Sequence, residues 1–108
     1  MFLLQPKPTF QSKVTIPTPD GEGVVTFEFK HKGRKALKAF FESLNDTDSG
    51  RTDSEALLEL INNWFGVDET FTPEALDTLL DNYPSAARAI FDAYNRDLFE
   101  GKQKNSGK

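Results

Sequence analysis

Phe10, Ser12, Val14 and Ile16 alternate with Gln11, Lys13 and Thr15, and further on Val25, Phe27 and Phe29 alternate with Thr26, Glu28 and Lys30. A period of two puts one set of side chains on each face of an extended chain, the pattern of a half-buried strand. Between the two runs lie Pro17, Pro19, Asp20, Gly21 and Gly23, all turn formers. The spacing therefore predicts an antiparallel β-hairpin over residues 10–31. A lone hairpin is marginal in water, so its apolar face must rest on helices or on another chain.

After residue 33 the period changes. Leu37, Phe40, Phe41 and Leu44 recur at i, i+3, i+4 and i+7, one stripe of a helix over about 34–44. Asn45 to Gly50 then form a polar loop of turn-favouring residues. Thr52-Asp-Ser-Glu55 reads as a capping box, in which hydroxyl and carboxylate satisfy reciprocal backbone N–H groups. Leu57, Leu60, Ile61 and Trp64 continue at helical spacing, with Leu58 and Phe65 widening the stripe and Gly66 as a stop, which predicts a second helix over about 53–65. Thr72 caps and Pro73 opens a third helix, about 73–83, whose stripe is Leu76, Leu79, Leu80 and Tyr83. Pro84 biases Tyr83 away from helix and opens a fourth, about 84–99, with Ala87, Ile90, Phe91, Tyr94 and Leu98 on one face.

The fold class is thus α+β: an N-terminal β-hairpin followed by about four short amphipathic α-helices. Residues 1–9, with Pro6 and Pro8, are expected as an extended arm, and residues 10–100 as a single domain. Residues 101–108 contain nothing apolar and are expected to form a flexible, disordered tail.

Composition narrows this further. The 108 residues suffice for one core, and ten phenylalanines carry much of a hydrophobic content of only 37%. A small core of bulky residues, or a surface completed by a partner, is expected. Without cysteine there is no disulfide framework and no thiolate metal site. No signal-peptide core and no apolar run near the ~20 residues of a membrane span is visible, so a soluble, intracellular protein is expected.

Net charge is −4, unevenly spread. Lys30, Lys32, Arg34, Lys35 and Lys38 stand within nine positions with no acid among them. From Thr52 to Glu100 there are eleven acids against Arg88 and Arg96, a balance of −9. Opposite patches allow head-to-tail self-association, a homo-oligomer, or a charged partner; a solvated surface of uneven charge is the plainer account.

Catalytic chemistry is poorly supplied. His31, the single histidine, sits at a strand end with no orienting carboxylate or nucleophile visible. The loop Asn45-Asp-Thr-Asp-Ser-Gly50 resembles a calcium loop but fails in both registers: one places Ala56 where the bidentate glutamate belongs, the other Arg51 where glycine is needed. Asp53-Ser54 before an apolar helix resembles an acyl carrier protein, yet Glu55 follows the serine where carriers have leucine, and a hairpin lies outside their four-helix pattern. For nucleic acid, Phe40 and Phe41 fall on a core-facing stripe, and the acidic half repels phosphate. The expectation is a non-enzyme without metal or cofactor, binding neither nucleic acid nor membrane.

Three stretches carry a family resemblance: Trp64-Phe-Gly-Val-Asp-Glu, Phe71-Thr-Pro-Glu-Ala-Leu-Asp-Thr-Leu-Leu-Asp-Asn-Tyr-Pro, and Ala86-Ala-Arg-Ala-Ile-Phe-Asp-Ala-Tyr. With Pro6-Lys-Pro-Thr-Phe, a hairpin ending Phe27-Glu-Phe-Lys-His-Lys and an amphipathic helix upstream, residues 6–100 resemble the tail assembly chaperones of long-tailed bacteriophages and prophages. The resemblance implies a non-enzymatic role: such chaperones bind the helical tape measure protein before the tail tube polymerises around it. It also implies action in the bacterial host cytoplasm and absence from the mature virion. Many members exist in a second, longer form made by ribosomal frameshifting, through which the tail tube protein would be a further partner. A phage-derived interaction adaptor of another role and a carrier protein using Ser54 are the alternative readings.

A chaperone of helical segments needs apolar surface for its client. Trp64, Phe65 and Phe71, at the junction of the second and third helices, are the candidates. All three also read as core, and a polar replacement of Trp64 separates the two. Lys30, Lys32, Arg34, Lys35 and Lys38 are the candidate patch for self-association or a charged partner.

Overall fold

The computed structural model describes residues 2, 4–44 and 52–100. The expected α+β architecture is present: a β-hairpin of β1 (Thr9–Thr18) and β2 (Gly21–Lys30), and four helices, α1 (Arg34–Leu44), α2 (Asp53–Leu58), α3 (Pro73–Asn82) and α4 (Ala86–Glu100). A third strand, β3 (Ile61–Phe65), pairs antiparallel with β2, giving a sheet of order β1-β2-β3. The polar loop expected over residues 45–50 and the C-terminal tail lie outside the described residues.

The hairpin's strands are longer and its turn tighter than the turn-forming residues imply. Only Pro19 and Asp20 separate the strands, and Thr18 pairs with Gly21. Gly21 turns the chain with φ +134°, where a Cβ would be strained. Pro17 stays within the edge strand β1. The His31 N–H to Pro8 carbonyl bond sets the alternation, and by it the Pro17 nitrogen points away from β2, so its missing N–H breaks no ladder bond.

The second helix is shorter than its apolar spacing implies. It ends at Leu58, and residues 61–65 are strand rather than helix. Leu57, Leu60, Ile61 and Trp64 are all buried, as the stripe requires, but three structures bury them: α2, the turn after it, and β3. Ile61 and Trp64 would face opposite sides of a regular strand. Asn62 prevents this by bulging between the Glu28–Asn63 and Phe29–Ile61 pairs, which turns both apolar side chains inward. Isoleucine, two asparagines and two aromatics in sequence are poor helix formers and, asparagines aside, good strand formers.

Caps fix the helix starts. Thr52 Oγ1 accepts from the Glu55 N–H at 3.1 Å, and Glu55 Oε1 accepts from the Thr52 N–H at 3.0 Å, closing the capping box. Thr72 Oγ1 accepts from the Ala75 N–H at 2.9 Å, with Pro73 in the first turn. Replacing Thr52 by alanine removes the hydroxyl that accepts from the Glu55 N–H, while the backbone N–H that donates to Glu55 remains. The change is expected to cost about 1 kcal/mol, read as a lower urea midpoint at unchanged slope.

The core lies between the inner sheet face and the helices. α4 packs along β1, with Ala86, Ile90, Ala93 and Tyr94 buried. Aromatic rings run across the sheet beneath the helices. Phe10 lies 5.6 Å from Phe29, Tyr94 meets Phe29 edge-on at 5.1 Å, Phe27 stacks on Phe29, and Trp64 stands edge-on to Phe27 at 6.2 Å and to Phe71 at 5.1 Å. Such pairs contribute about 0.5–1.5 kcal/mol each beyond burial. Phenylalanine content this high is what lets so few apolar residues build a core.

Candidate partner-binding surface

Trp64 and Phe65 are neighbours in β3 and therefore face opposite ways. Trp64 is only 5% exposed, its Nε1–H donates to the Glu69 carbonyl at 2.8 Å, and its ring is held between Phe27 and Phe71. Phe71, half-buried just before the Thr72 cap, packs on the same side. Phe65 is 44% exposed on the outer face of the sheet, opposite Thr26 of β2. The three aromatics do not line one surface: two support the core and one faces out.

Phe65 has an apolar neighbour that alternation alone did not single out. Val25, Phe27 and Phe29 point inward, so Val24, Thr26 and Glu28 point outward, and Val24 is 57% exposed. The Val24-Val25 doublet, which interrupts the alternation, was the available signal. Around this pair the outer face is polar: Gln11, Lys13 and Thr15 from β1, Thr26 and Glu28 from β2, Asn63 from β3. Glu28 ties that face together, accepting from Thr9 Oγ1 and Asn62 Nδ2, each at 3.2 Å. Helices cover the inner face; these outer side chains stay exposed or half-exposed.

The basic residues surround the start of α1. Lys30, Arg34, Lys35 and Lys38 are exposed, and Lys32 is half-buried with its ammonium 5.8 Å from the centre of the Phe40 ring. Among the described residues none of the five is in an ion pair. His31 is exposed beside them.

Acidic residues gather at the seam of α2 and α3. Asp53, Asp77 and Asp81, with Thr52, Ser54, Thr78 and Leu80, line an open cleft of about 380 Å³. Ser54 sits in the capped first turn of α2 and belongs to this lining. Among the described residues no group of three or more His, Cys, Asp or Glu side chains is placed to hold a metal ion, and no helix is long and apolar enough to cross a membrane.

The family model described as "Phage tail assembly chaperone" matches residues 1–105. The chain belongs to this family. No curated protein and no solved structure matches it. The match takes in the whole span of the resemblance, residues 6–100, the hairpin and α1 as well as α3 and α4. In a tail assembly chaperone the surfaces to be explained are those that meet other proteins. The exposed features that stand out here are the outer sheet face, the basic start of α1 and the acidic α2–α3 seam.

Proposed function

We propose that this tail assembly chaperone binds the tape measure protein of its phage, without catalysis, in the host cytoplasm, and is left behind when the tail tube closes around its client. The observation that carries the reading is the outer sheet face, where Phe65 and Val24 lie together in a polar surround. An amphipathic helix of the client laid on that face would bury both side chains and meet Lys13 and Glu28 at its flanks. Trp64 and Phe71 then act from beneath, holding β3 in place. The tape measure helices are kept soluble because their apolar stripes are covered, while the chaperone's charged helices face water.

Co-expression with the tape measure protein of the same phage region, followed by affinity capture of the chaperone, tests this. The unaltered chain is expected to retain the tape measure protein. Phe65→Ser is expected to weaken capture about tenfold, the loss of a central aromatic anchor, with an unchanged circular dichroism spectrum. Undiminished capture by the folded Phe65→Ser protein removes the outer face as the binding surface, and no capture by the unaltered chain removes the tape measure protein as client.

A further inference from the structure

Arg34 and Lys38 stand one helical turn apart on α1, both exposed and both without an ion-pair partner among the described residues. Asp77 and Asp81 stand one turn apart on α3, equally exposed and equally unpaired. In each case the charges are separated by about 6 Å along the helix axis. The two arginines of the acidic half are engaged locally, Arg88 with Asp92 and Arg96 with Asp97, so neither neutralises the α2–α3 seam.

Each ladder is disfavoured as it stands. Like charges four residues apart repel on a helix. The first turn of α1 contains no acid, so its cations also oppose the positive end of the helix dipole. The two ladders have equal spacing and opposite sign, and one surface is a helix ridge while the other is a concave seam.

We propose that copies of this chain associate with one another through these surfaces, α1 of one copy seated on the α2–α3 seam of another, Arg34 and Lys38 against Asp77 and Asp81. A basic partner of another kind would fill the seam but leave α1 bare, and an anionic partner would do the reverse. A second copy pairs both at once. Nucleic acid on α1 would be repelled by the acidic half of the same small protein. Exposed ion pairs are individually weak, so the association is weak and strongly salt-dependent.

Sedimentation velocity on the full chain and two charge-reversed variants tests the inference. The unaltered protein is expected to self-associate at about 0.01 M salt and to dissociate toward monomer at about 1 M, as the screening length falls from about 30 Å to about 3 Å. Arg34→Glu/Lys38→Glu and Asp77→Lys/Asp81→Lys are each expected to be monomeric alone at low salt. Mixed in equal amounts they are expected to associate again, because the reversed α1 of one fits the reversed seam of the other. Fluorescence of the buried Trp64 reports that each variant is folded. An unaltered chain that is monomeric at low salt overturns the proposal, and so does either variant associating alone as the unaltered chain does, or a mixture of folded variants that stays monomeric.

Discussion

Truncating Trp64 to alanine is expected to destabilise the domain by about 3–5 kcal/mol, a large share of the ~5–15 kcal/mol available to a typical domain. The ring is almost fully enclosed, and it is the joint between two parts of the core, meeting Phe27 of β2 on one side and Phe71 before α3 on the other. Its removal leaves a cavity between sheet and helices that two edge-on contacts no longer fill. It also strands the Glu69 carbonyl, which Trp64 Nε1 holds at 2.8 Å, and so loosens the segment that leads from Gly66, at φ +87°, to the Thr72 cap. Urea unfolding followed by far-ultraviolet circular dichroism measures the loss. The informative control is the next residue: Phe65→Ser, on the open face, is expected to change stability by no more than about 0.5 kcal/mol. Equal effects at the two positions would contradict the opposite orientations of their side chains.

That contrast also marks where the sequence stops being legible. Period-two alternation announces the hairpin because its inner residues are apolar and its outer ones polar with few exceptions. Thr52 and Thr72 announce helix starts because a hydroxyl at that place has a specific N–H to satisfy. Residues 57–64 mislead because burial, not backbone shape, is what the apolar spacing records. A bulge at Asn62 gives a strand the three-residue interval of a helix, and the same four side chains are buried either way. The weak helix propensity of Ile61-Asn-Asn-Trp-Phe65 was the local signal, and the tertiary pairing with β2 is what makes it decisive. Once those residues form a strand, adjacent Trp64 and Phe65 must part, and an aromatic corner becomes one core residue and one surface residue.

The charged surfaces were legible in another way. A count along the chain separates the basic stretch 30–38 from the acidic half, but counting gives no spacing. The helices expected over about 34–44 and 73–83 already place Arg34 and Lys38, and Asp77 and Asp81, one turn apart; what only the fold adds is that the acidic pair lines a cleft with α2. Likewise, α2 and α3 are separated by β3 along the chain, and the seam between them exists only in the fold.

The domain is expected to lose about 2–3 kcal/mol of stability between pH 10 and pH 12 through a single buried hydroxyl. Tyr94 on α4 donates to the Lys30 carbonyl at the end of β2, at 2.8 Å, a bond between residues 64 positions apart that pins the last helix to the hairpin. Burial among Phe10, Phe29 and α4 disfavours the phenolate and pushes its pKa up to about 12, against a smaller opposing pull from the Lys32 backbone. In the unfolded chain the same group ionises near 10. Below pH 10 both states hold the proton and the contribution is fully present. Between pH 10 and pH 12 the unfolded state gives up its proton first, so unfolding is favoured progressively until the folded hydroxyl ionises too. Tyr94→Phe removes the titrating group at a cost of about 1 kcal/mol near neutrality, where the hydrogen bond is lost. Its stability is therefore expected to fall less steeply above pH 10, and the two curves to converge and cross. Parallel alkaline slopes for the two proteins would show that the hydroxyl titrates alike in both states and is not enclosed between α4 and the sheet. The convergence would establish that the Tyr94 hydroxyl is enclosed between α4 and the inner face of the sheet, the face opposite Phe65 and Val24.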